Sequence, residues 1–498
     1  MKLSELLNGA GLSFSGPDAV ITGLDYDSRR IRPGYLFVAM HGEASDGNRF
    51  VDSALKNGAV AVVTDSAAEP ARQGIAWAVA AHGRKALAQI SANFYGNPAR
   101  KLKISGITGT NGKTTTAFLL EAILAHSGKR SALVGTIEYH VADKVLPAPH
   151  TTPESLELNQ IFAEALQHGA SDSVMEVSSH ALEQGRVWGV PFEVAIFTNL
   201  TRDHLDYHKD METYFAAKRL LFEGTGSQPP RLAVINADDE YGRSLLRLSH
   251  SASERAISYG IEAGDFRAIE IDLRPSGSGF FLKSPEGDTR INSRLIGKVN
   301  IYNLLAAATA ASLRGCSLEQ ITAAVSRFNQ VPGRFERVDA GQPFTVVVDY
   351  AHTDDALRNL TAIARGLAGK GRVITVFGCG GDRDRTKRPV MGEAAARGSN
   401  FVVLTSDNPR SEDPLKIIED VMPGLVRAKG ASFQVEPERR KAIGLALSHA
   451  GKGDVVLIAG KGHEKHQVLR EGTFPFDDVQ VARKALKQMG YSAEERRQ

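Results

Sequence analysis

The sequence has few cysteines, little net charge and no long apolar run. Its 498 residues include two cysteines, Cys316 and Cys379, without C-x-x-C or Cys/His zinc spacing, which argues against a disulfide framework or a structural metal. Sixty basic and 57 acidic residues leave a formal charge of +3, too weak a field to favour nucleic acid or an anionic membrane. No stretch approaches the ~20 apolar residues of a membrane span. We therefore expect small-molecule partners, no nucleic acid, no membrane and a cytoplasmic location.

Glycine and α/β patterning are what the sequence does have. Forty-eight glycines and 42% hydrophobic residues suit an α/β protein, and the length exceeds what one core supports, so we expect about three domains. Apolar runs at 19–21, 35–40 and 59–63 predict strands of a small N-terminal α/β domain over residues 1–99. Residues 100–331 predict a central ATPase domain with a P-loop-type, mainly parallel sheet, and 332–498 a C-terminal Rossmann-like domain.

The stretch from Gly106 to Thr116 lies between a strand-like run and a helix-like run. It departs from the common G-x-x-x-x-G-K-[ST] pattern because Ile107 stands at the first glycine position. A glycine-rich turn before a helix can still direct backbone N–H groups and the helix N-terminus at a phosphate, with a lysine at the outer phosphates. A ligand-free turn is the alternative. The residues predicted to hold ATP here are Gly109, Thr110, Asn111, Gly112, Lys113, Thr114 and Thr115, and Thr114 or Thr115 would face Mg²⁺.

Two further side chains follow apolar strands at the same predicted sheet edge. Glu176 ends the strand-like run before Val177-Ser178-Ser179-His180, and His204 follows the next one. A carboxylate, an imidazole and phosphate oxygens suit a Mg²⁺ ion that protein holds only in part. A structural role is the alternative for His204. Lys218, in a helix-like run, is by its neighbours alone a surface lysine with a buried stem.

These motifs, with Asn300, Asn303, Gly333-Arg334 and Asp349-Tyr350-Ala351-His352, resemble those of the Mur ligase family across all three predicted domains. The resemblance implies an ATP-dependent amide ligase that activates a carboxylate as an acyl phosphate. It implies catalytic roles for Lys113, Glu176, His204 and Lys218, with Lys218 carbamylated by CO₂ and, with Thr114, Thr115, Glu176 and His204, holding Mg²⁺. It places Asn300, Arg334 and Asp349 at ATP. Val299 stands where the family often has an aromatic residue or a histidine, which leaves the adenine contact open.

The same resemblance implies UDP-MurNAc-L-Ala-D-Glu as the substrate. Its UDP part would contact Tyr26, Ser28, Glu43, Ala44 and Ser45, although solvated turns explain these loops nearly as well. Its dipeptidyl-muramoyl part would contact His150, Thr151, Thr152, Ser178, Gln184 and Arg186.

The incoming amino acid is indicated by one tetrapeptide, Asp407-Asn408-Pro409-Arg410, after a predicted strand. Alone it is a tight Asx-Pro turn; in this chain it resembles the motif of the family members that add meso-diaminopimelate. An arginine can bind the distal carboxylate that L-lysine lacks. By family position Arg383, Gly460 and Glu464 complete this pocket.

Other functions remain open at this point. L-lysine could replace meso-diaminopimelate, and a folylpolyglutamate-type ligase would share the ATP loop but not the N-terminal Asp-Ser-Arg domain or the Asp-Asn-Pro-Arg turn. A P-loop kinase or a nucleotide-gated binding module would explain residues 106–116 alone. We expect a monomer.

Overall fold

The structure is a computed structural model that describes residues 1–42, 45–67, 71–252, 254–274, 276–428 and 430–491. It confirms a three-domain α/β architecture with one large sheet in each domain. Of the three N-terminal runs predicted as strands, those at 35–40 and 59–63 form strands that end within one residue of the predicted bounds. Residues 19–21 are the exception, because this run forms only an isolated bridge between Val20 and Lys2, and Val20 is 63% exposed.

The N-terminal sheet has the order β1-β5-β4-β3-β2, with β2 to β5 parallel and β1 antiparallel at the edge. One apolar cluster packs against each face. Its strands are β1 (Phe14–Ser15), β2 (Gly23–Asp25), β3 (Tyr35–Ala39), β4 (Ala59–Thr64) and β5 (Ala76–Val79), and its helices are α1 (Leu3–Leu6), α2 (Val51–Lys56) and α3 (Gly83–Phe94).

The central sheet has eleven strands in the order β16-β15-β14-β13-β12-β11-β6-β10-β7-β8-β9. Its seven middle strands, β14 to β7 in that order, are parallel, and antiparallel hairpins extend it at both ends. The strands are β6 (Lys103–Thr108), β7 (Ser131–Val134), β8 (Glu138–Val141), β9 (Lys144–Pro147), β10 (Asp172–Glu176), β11 (Phe192–Phe197), β12 (Leu232–Asn236), β13 (Arg255–Gly260), β14 (Phe266–Arg274), β15 (Gly277–Ser284) and β16 (Gly287–Ser293).

Helices cover both faces of this sheet, as a parallel sheet requires. The Ala-rich α10 is buried along most of its length and packs against α4 in the larger of the two central cores. The helices are α4 (Lys113–His126), α5 (Ser155–Gln167), α6 (Ser179–Gln184), α7 (Leu205–His208), α8 (Met211–Glu223), α9 (Glu240–Ala252), α10 (Lys298–Leu313) and α11 (Leu318–Arg327).

The C-terminal sheet has the order β17-β18-β22-β19-β20-β21 and is parallel except for β17. A separate ribbon of β23 and β24 follows. The elements are β17 (Glu336–Arg337), β18 (Thr345–Asp349), α12 (Asp354–Ala368), β19 (Val373–Phe377), α13 (Lys387–Gly398), β20 (Phe401–Leu404), α14 (Pro414–Arg427), β21 (Ser432–Val435), α15 (Arg439–Ser448), β22 (Val455–Ala459), β23 (His466–Leu469), β24 (Gly472–Pro475) and α16 (Asp478–Gln488).

Candidate active site

The predicted phosphate loop joins β6 to α4, and its shape depends on two glycines. Gly109 has φ +148° and Gly112 has φ +89°, and a Cβ on Gly112 would lie 2.3 Å from Asn303 Oδ1. The loop is fastened to the end of β11, because Thr198 Oγ1 donates to the Asn111 carbonyl at 2.7 Å and Thr110 N donates to the Asn199 carbonyl at 2.8 Å. The amide end of α4 therefore opens at the carboxyl edge of the sheet, where an anion is favoured.

Lys113 and Lys218 meet at this loop. Both ammonium groups donate to the Gly109 carbonyl, at 2.9 and 2.8 Å, and Lys113 also donates to the Thr110 carbonyl. Lys218 is only 2% exposed and lies over the Tyr214 ring, so the surface-lysine alternative is wrong. Burial, and then the charge of Lys113, lowers the pKa of Lys218 well below its ordinary value. Burial also lowers the pKa of Lys113.

Glu176 ends β10 as a fully buried carboxylate beside the loop. Its Oε2 accepts from Thr114 Oγ1 at 3.0 Å and from Thr136 Oγ1 at 2.9 Å, while its Oε1 accepts from Thr136 N at 2.8 Å. β7 stops at Val134, and Gly135 passes so close to Glu176 that a Cβ would lie 2.7 Å from its Oε1. Thr115 is buried in the same cavity lining but lies away from these hydrogen bonds.

His204 lies across the loop with φ +54°, next to Asp203 and Lys218. Burial lowers the pKa of His204 to about 3, although the Asp203 charge acts in the opposite direction. The imidazole is therefore neutral at pH 7 and has a lone pair to offer. Its ring packs edge to face on His180, with ring centres 5.0 Å apart.

Residues of the C-terminal domain form the other wall of a cavity of about 530 Å³. Arg334 Nη2 donates to Thr114 Oγ1 at 3.1 Å, and its guanidinium lies over the Tyr350 ring. Both Asp349 oxygens accept backbone N–H groups, from Phe335 at 2.7 Å and from Ala351 at 2.8 Å. On the opposite wall, where both residues lie on α10, Asn300 Oδ1 accepts from Asn303 Nδ2. The structure thus brings the predicted ATP residues of two domains to one cavity.

Four of the residues predicted for the dipeptide part are also brought together. Thr152 Oγ1 donates to the Glu176 carbonyl and accepts from Ser178 N, at 2.9 and 3.1 Å. Arg186 donates to Gln184 Oε1 at 2.9 Å and to the Thr152 carbonyl at 3.0 Å.

The remaining residues of this set are close by: Thr151 Oγ1 lies 3.1 Å from Thr136 Oγ1, and the His150 carbonyl accepts from Tyr139 OH.

Of the residues predicted for UDP, Tyr26 and Ser28 follow β2, and Ser45 follows the adjacent parallel strand β3. Tyr26 OH donates to Glu157 Oε1 of α5 at 3.0 Å, and Ser28 is buried with its carbonyl accepting from Asn57. No hydrogen bond joins Ser45 to either residue in the part of the chain that the structure describes. Glu43 and Ala44 lie outside the described residues.

The predicted amino-acid pocket lies at the carboxyl edge of the C-terminal sheet. Arg410 has φ +53°, donates to the Gly381 carbonyl at 2.7 Å and has a pKa lowered by burial and then by the charge of Arg383. Asn408 Nδ2 donates to Glu464 Oε2 at 2.8 Å.

A Cβ on Gly460 would lie 2.4 Å from Asp407 Oδ2, and one on Gly381, which was not predicted for this pocket, would lie 1.9 Å from the Pro409 carbonyl. The half-buried guanidinium of Arg410, with the exposed Arg383 as its neighbour, favours an anionic ligand.

Some residues of the site were not predicted. Thr136 holds Glu176, and Glu154 Oε1 accepts from Arg84 Nε at 3.2 Å and lies 3.3 Å from Arg186 Nε. Thr136 follows a strand at the same sheet edge as the loop, which is a signal that sequence reasoning could have used. Glu154 has no such signal, because its importance depends on an arginine 70 residues away.

A phosphate loop, two lysines that share one of its carbonyl oxygens and an arginine-lined pocket on a facing domain define a nucleotide-dependent ligase. Models of the Mur ligase family match the chain at residues 20–95 (catalytic domain), 107–311 (middle domain) and 333–462 (glutamate ligase domain). Together with identities above 40% to curated relatives over nearly the whole chain, these matches show that the chain belongs to the Mur ligase family.

Curated relatives carry a more specific name. The chain is 54% identical to UDP-N-acetylmuramoyl-L-alanyl-D-glutamate–2,6-diaminopimelate ligase of Solibacter usitatus, over 95% of this chain and 94% of that protein. It is 45% identical to the enzyme of that name in Geobacillus thermodenitrificans, over 98% and 100%.

A solved structure of a ligase with this name is 33% identical, has a TM-score of 0.66 and covers 95% of this chain and 96% of its own. A folylpolyglutamate synthase from Mycobacterium tuberculosis, at 17% identity and a TM-score of 0.61 over 81% of this chain and 94% of its own, shares the fold alone. Among the described residues no helix is long and apolar enough to cross a membrane.

Proposed function

We propose that this chain is an ATP-dependent ligase that joins meso-diaminopimelate to the D-Glu of UDP-MurNAc-L-Ala-D-Glu. The observation that carries this function is that relatives 41–54% identical over nearly the whole chain share the name of that ligase. The arginine pair at the amino-acid pocket agrees with it. The nucleotide also fits, since the solved MurF ligase of Thermotoga maritima is described in complex with ADP.

The reaction has two steps. An oxygen of the D-Glu γ-carboxylate attacks the γ-phosphorus of ATP, the bond to the β-phosphate oxygen breaks, and ADP leaves. The amine of the incoming amino acid then attacks the acyl carbon, phosphate leaves, and the amine loses a proton. Both steps bring anions or developing negative charge together, so the site must supply positive charge and fixed geometry.

Lys113 and Arg334 are the cations placed to do this. We assign Lys113 and Arg334 to the ATP phosphates, because Lys113 extends from the first turn of α4 and Arg334 reaches Thr114 from the facing domain. Their present partners are carbonyl and hydroxyl oxygens, which phosphate oxygens would replace. Arg334 links phosphate binding to the position of the C-terminal domain.

The residues fit a Mg²⁺ ion that retains water and phosphate ligands. The described residues include no group of three or more His, Cys, Asp or Glu side chains arranged around a metal. They do offer the buried Glu176 carboxylate, the Thr114 hydroxyl bonded to it and the neutral His204, which is the incomplete oxygen-rich set that Mg²⁺ commonly uses. Thr114 is therefore favoured over Thr115. Bound Mg²⁺ would neutralise phosphate charge during the transfer.

Lys218 is suited to carbamylation. Its lowered pKa increases the fraction of neutral amine, which is the form that attacks CO₂. The N–C bond forms, one proton leaves, and the side chain becomes an anion beside Lys113. The carbamate would reverse the electrostatic conflict between the two lysines and would offer an oxygen ligand to a second Mg²⁺.

The adenine base is assigned to the apolar part of the cavity. Val299 and Tyr302 of α10 line it on one side, and Leu360 and Ile363 of α12 line it on the other. Tyr302, one helical turn from Val299, places an aromatic ring in this part of the cavity.

We assign residues 1–99 to UDP binding, 100–331 to ATP and 332–498 to the amino acid. The UDP role of Tyr26, Ser28, Glu43, Ala44 and Ser45 is part of this proposal. The monomeric state and the cytoplasmic location stay predictions.

Phosphate release with purified enzyme, ATP, Mg²⁺ and UDP-MurNAc-L-Ala-D-Glu tests this function. We expect release with meso-diaminopimelate and little with L-lysine, because lysine would leave a half-buried guanidinium unpaired. Arg410→Met should lose the meso-diaminopimelate reaction, whereas Arg397→Met, at an exposed pair with Glu393, should not. Equal rates with both amines, or release without any amine, would contradict the proposal.

A further inference from the structure

Lys461 is a fully buried lysine without an assigned role in substrate binding or in the reaction. It follows Gly460 after β22 and has 0% exposure. Its Nζ donates to Asn408 Oδ1 and to Glu464 Oε2, each at 2.9 Å. A buried ammonium group is costly unless charged and polar partners surround it. Here both partners are residues assigned to the amino-acid pocket.

The three side chains close a triangle. Asn408 Nδ2 donates to Glu464 Oε2 at 2.8 Å, and Asn408 Oδ1 also accepts from Val468 N at 3.0 Å. Lys461 therefore fixes which end of the Asn408 amide faces Glu464. Because Oε2 of Glu464 receives two donors, and Oε1 receives none from the residues that the structure describes, Oε1 is the oxygen left for a ligand.

A second buried cation supports the neighbouring part of the pocket. Arg439 is 1% exposed, pairs with Asp478 at 2.6 Å and donates to the Ala459 carbonyl at 3.0 Å. Its Nη1 lies 3.9 Å from Asp407 Oδ2, beyond hydrogen-bond range. Within the described part of the chain, Lys461 is the one of these two buried cations that hydrogen-bonds to Asn408 and Glu464, so it is the cation with a specific effect on them.

We propose that Lys461 is a positioning residue that determines recognition of the incoming amino acid. It orients Glu464 so that Oε1 receives an ammonium group of the ligand while Arg410 receives a carboxylate. The Lys461 charge also balances the charge of Glu464. The pocket therefore matches the distal end of meso-diaminopimelate, which carries an ammonium and a carboxylate, rather than the ammonium end of L-lysine. This inference rests on the proposed function.

Steady-state kinetics of Lys461→Met test the role, since methionine fills similar space without donors. We expect the KM for meso-diaminopimelate to rise about ten- to hundredfold, because a charged acceptor loses its fixed partner. The KM values for ATP and UDP-MurNAc-L-Ala-D-Glu should stay within about twofold. The control is Lys465→Met, four residues on, where the lysine is 61% exposed and pairs with Asp477. An unchanged KM for meso-diaminopimelate in Lys461→Met would overturn the inference.

A double-mutant cycle separates positioning from general damage. If Lys461 acts through Glu464, the Lys461→Met/Glu464→Gln variant should resemble Glu464→Gln alone, whereas independent effects would multiply and contradict the proposal. If Lys461→Met fails to fold, Lys461→Gln keeps one amide donor and should show a smaller rise in the same KM. A normal KM in Glu464→Gln would also overturn it. Wild-type enzyme inactive with meso-diaminopimelate would instead reject the proposed function.

Discussion

Replacing Lys218 with methionine is expected to abolish most activity without destabilising the protein. Lys218 is buried and Lys113 is half-buried, and both donate to the Gly109 carbonyl, so the folded state places two ionisable amino groups together. Methionine fills the space and removes one of them. Loss of one hydrogen bond to Gly109 costs about 1 kcal/mol, while removal of a buried, repelled cation offsets or exceeds that cost.

The pH dependence gives this prediction a sign. The pKa of Lys218 is 10.5 in the unfolded chain and is lowered well below that value by burial and Lys113. Between the two pKa values the unfolded state binds one more proton, so this group makes the free energy of unfolding rise with pH, by at most about 1.4 kcal/mol per pH unit. Lys218→Met lacks this contribution. The free energy of unfolding of Lys218→Met, relative to that of wild type, should therefore decrease as the pH rises from 7 towards 10.

Trp188 lies in the central domain, so urea unfolding followed by its fluorescence, in a Trp77→Phe background, measures this difference in unfolding free energy. Mg²⁺ and CO₂ are removed, because a carbamate would change the charge of Lys218. Lys283→Met, at an exposed lysine on β15, is the control and should follow wild type at every pH. A difference between wild type and Lys218→Met that does not change with pH, or wild-type turnover in the variant, would refute the reasoning.

Three other substitutions have distinct outcomes. Burial lowers the pKa of His140, but Glu121 and Glu138 together raise it to about 9. His140→Gln should therefore lower the free energy of unfolding by about 3 kcal/mol at pH 6 and by little above pH 9.5, as measured by urea unfolding. Gly112→Ala, which places a Cβ 2.3 Å from Asn303 Oδ1, should weaken ATP binding at least about tenfold in calorimetric titration. Asp203→Asn removes the carboxylate 3.8 Å from His352 Nε2 and 4.0 Å from Lys387 Nζ, and kcat should fall about tenfold while the KM for ATP changes less.

Local patterns accounted for most of the fold. β6, the glycine turn and α4 were predictable because an apolar run, a turn and a helix start adjoin each other in the sequence. β7 ends at Val134 for a tertiary reason, since Gly135 must pass close to Glu176. Periodicity contains no information about such a contact.

The site was less accessible from the sequence. Residues within motifs, such as Glu176 and Arg410, could be found, but the burial of Lys218 depends on a carbonyl 109 residues away. Glu154 and Lys461 act on other side chains rather than forming a motif of their own. Family resemblance indicated Lys218 without its geometry, and the geometry explains why this lysine differs from the exposed lysines of the chain.

The electrostatics of this chain depend on where its cations lie rather than on its net charge. A net charge of +3 in 498 residues excludes a general attraction for polyanions, yet the structure concentrates cations at two places. Lys113 and Arg334 meet at the phosphate loop, and Arg410 lies beside the exposed Arg383 at the proposed amino-acid pocket. Lys113, Arg334 and Arg410 are partly desolvated, so an anion bound beside them gains more than it would at the surface. Selectivity for small anionic substrates therefore comes from where the cations are buried, which a charge count does not reveal.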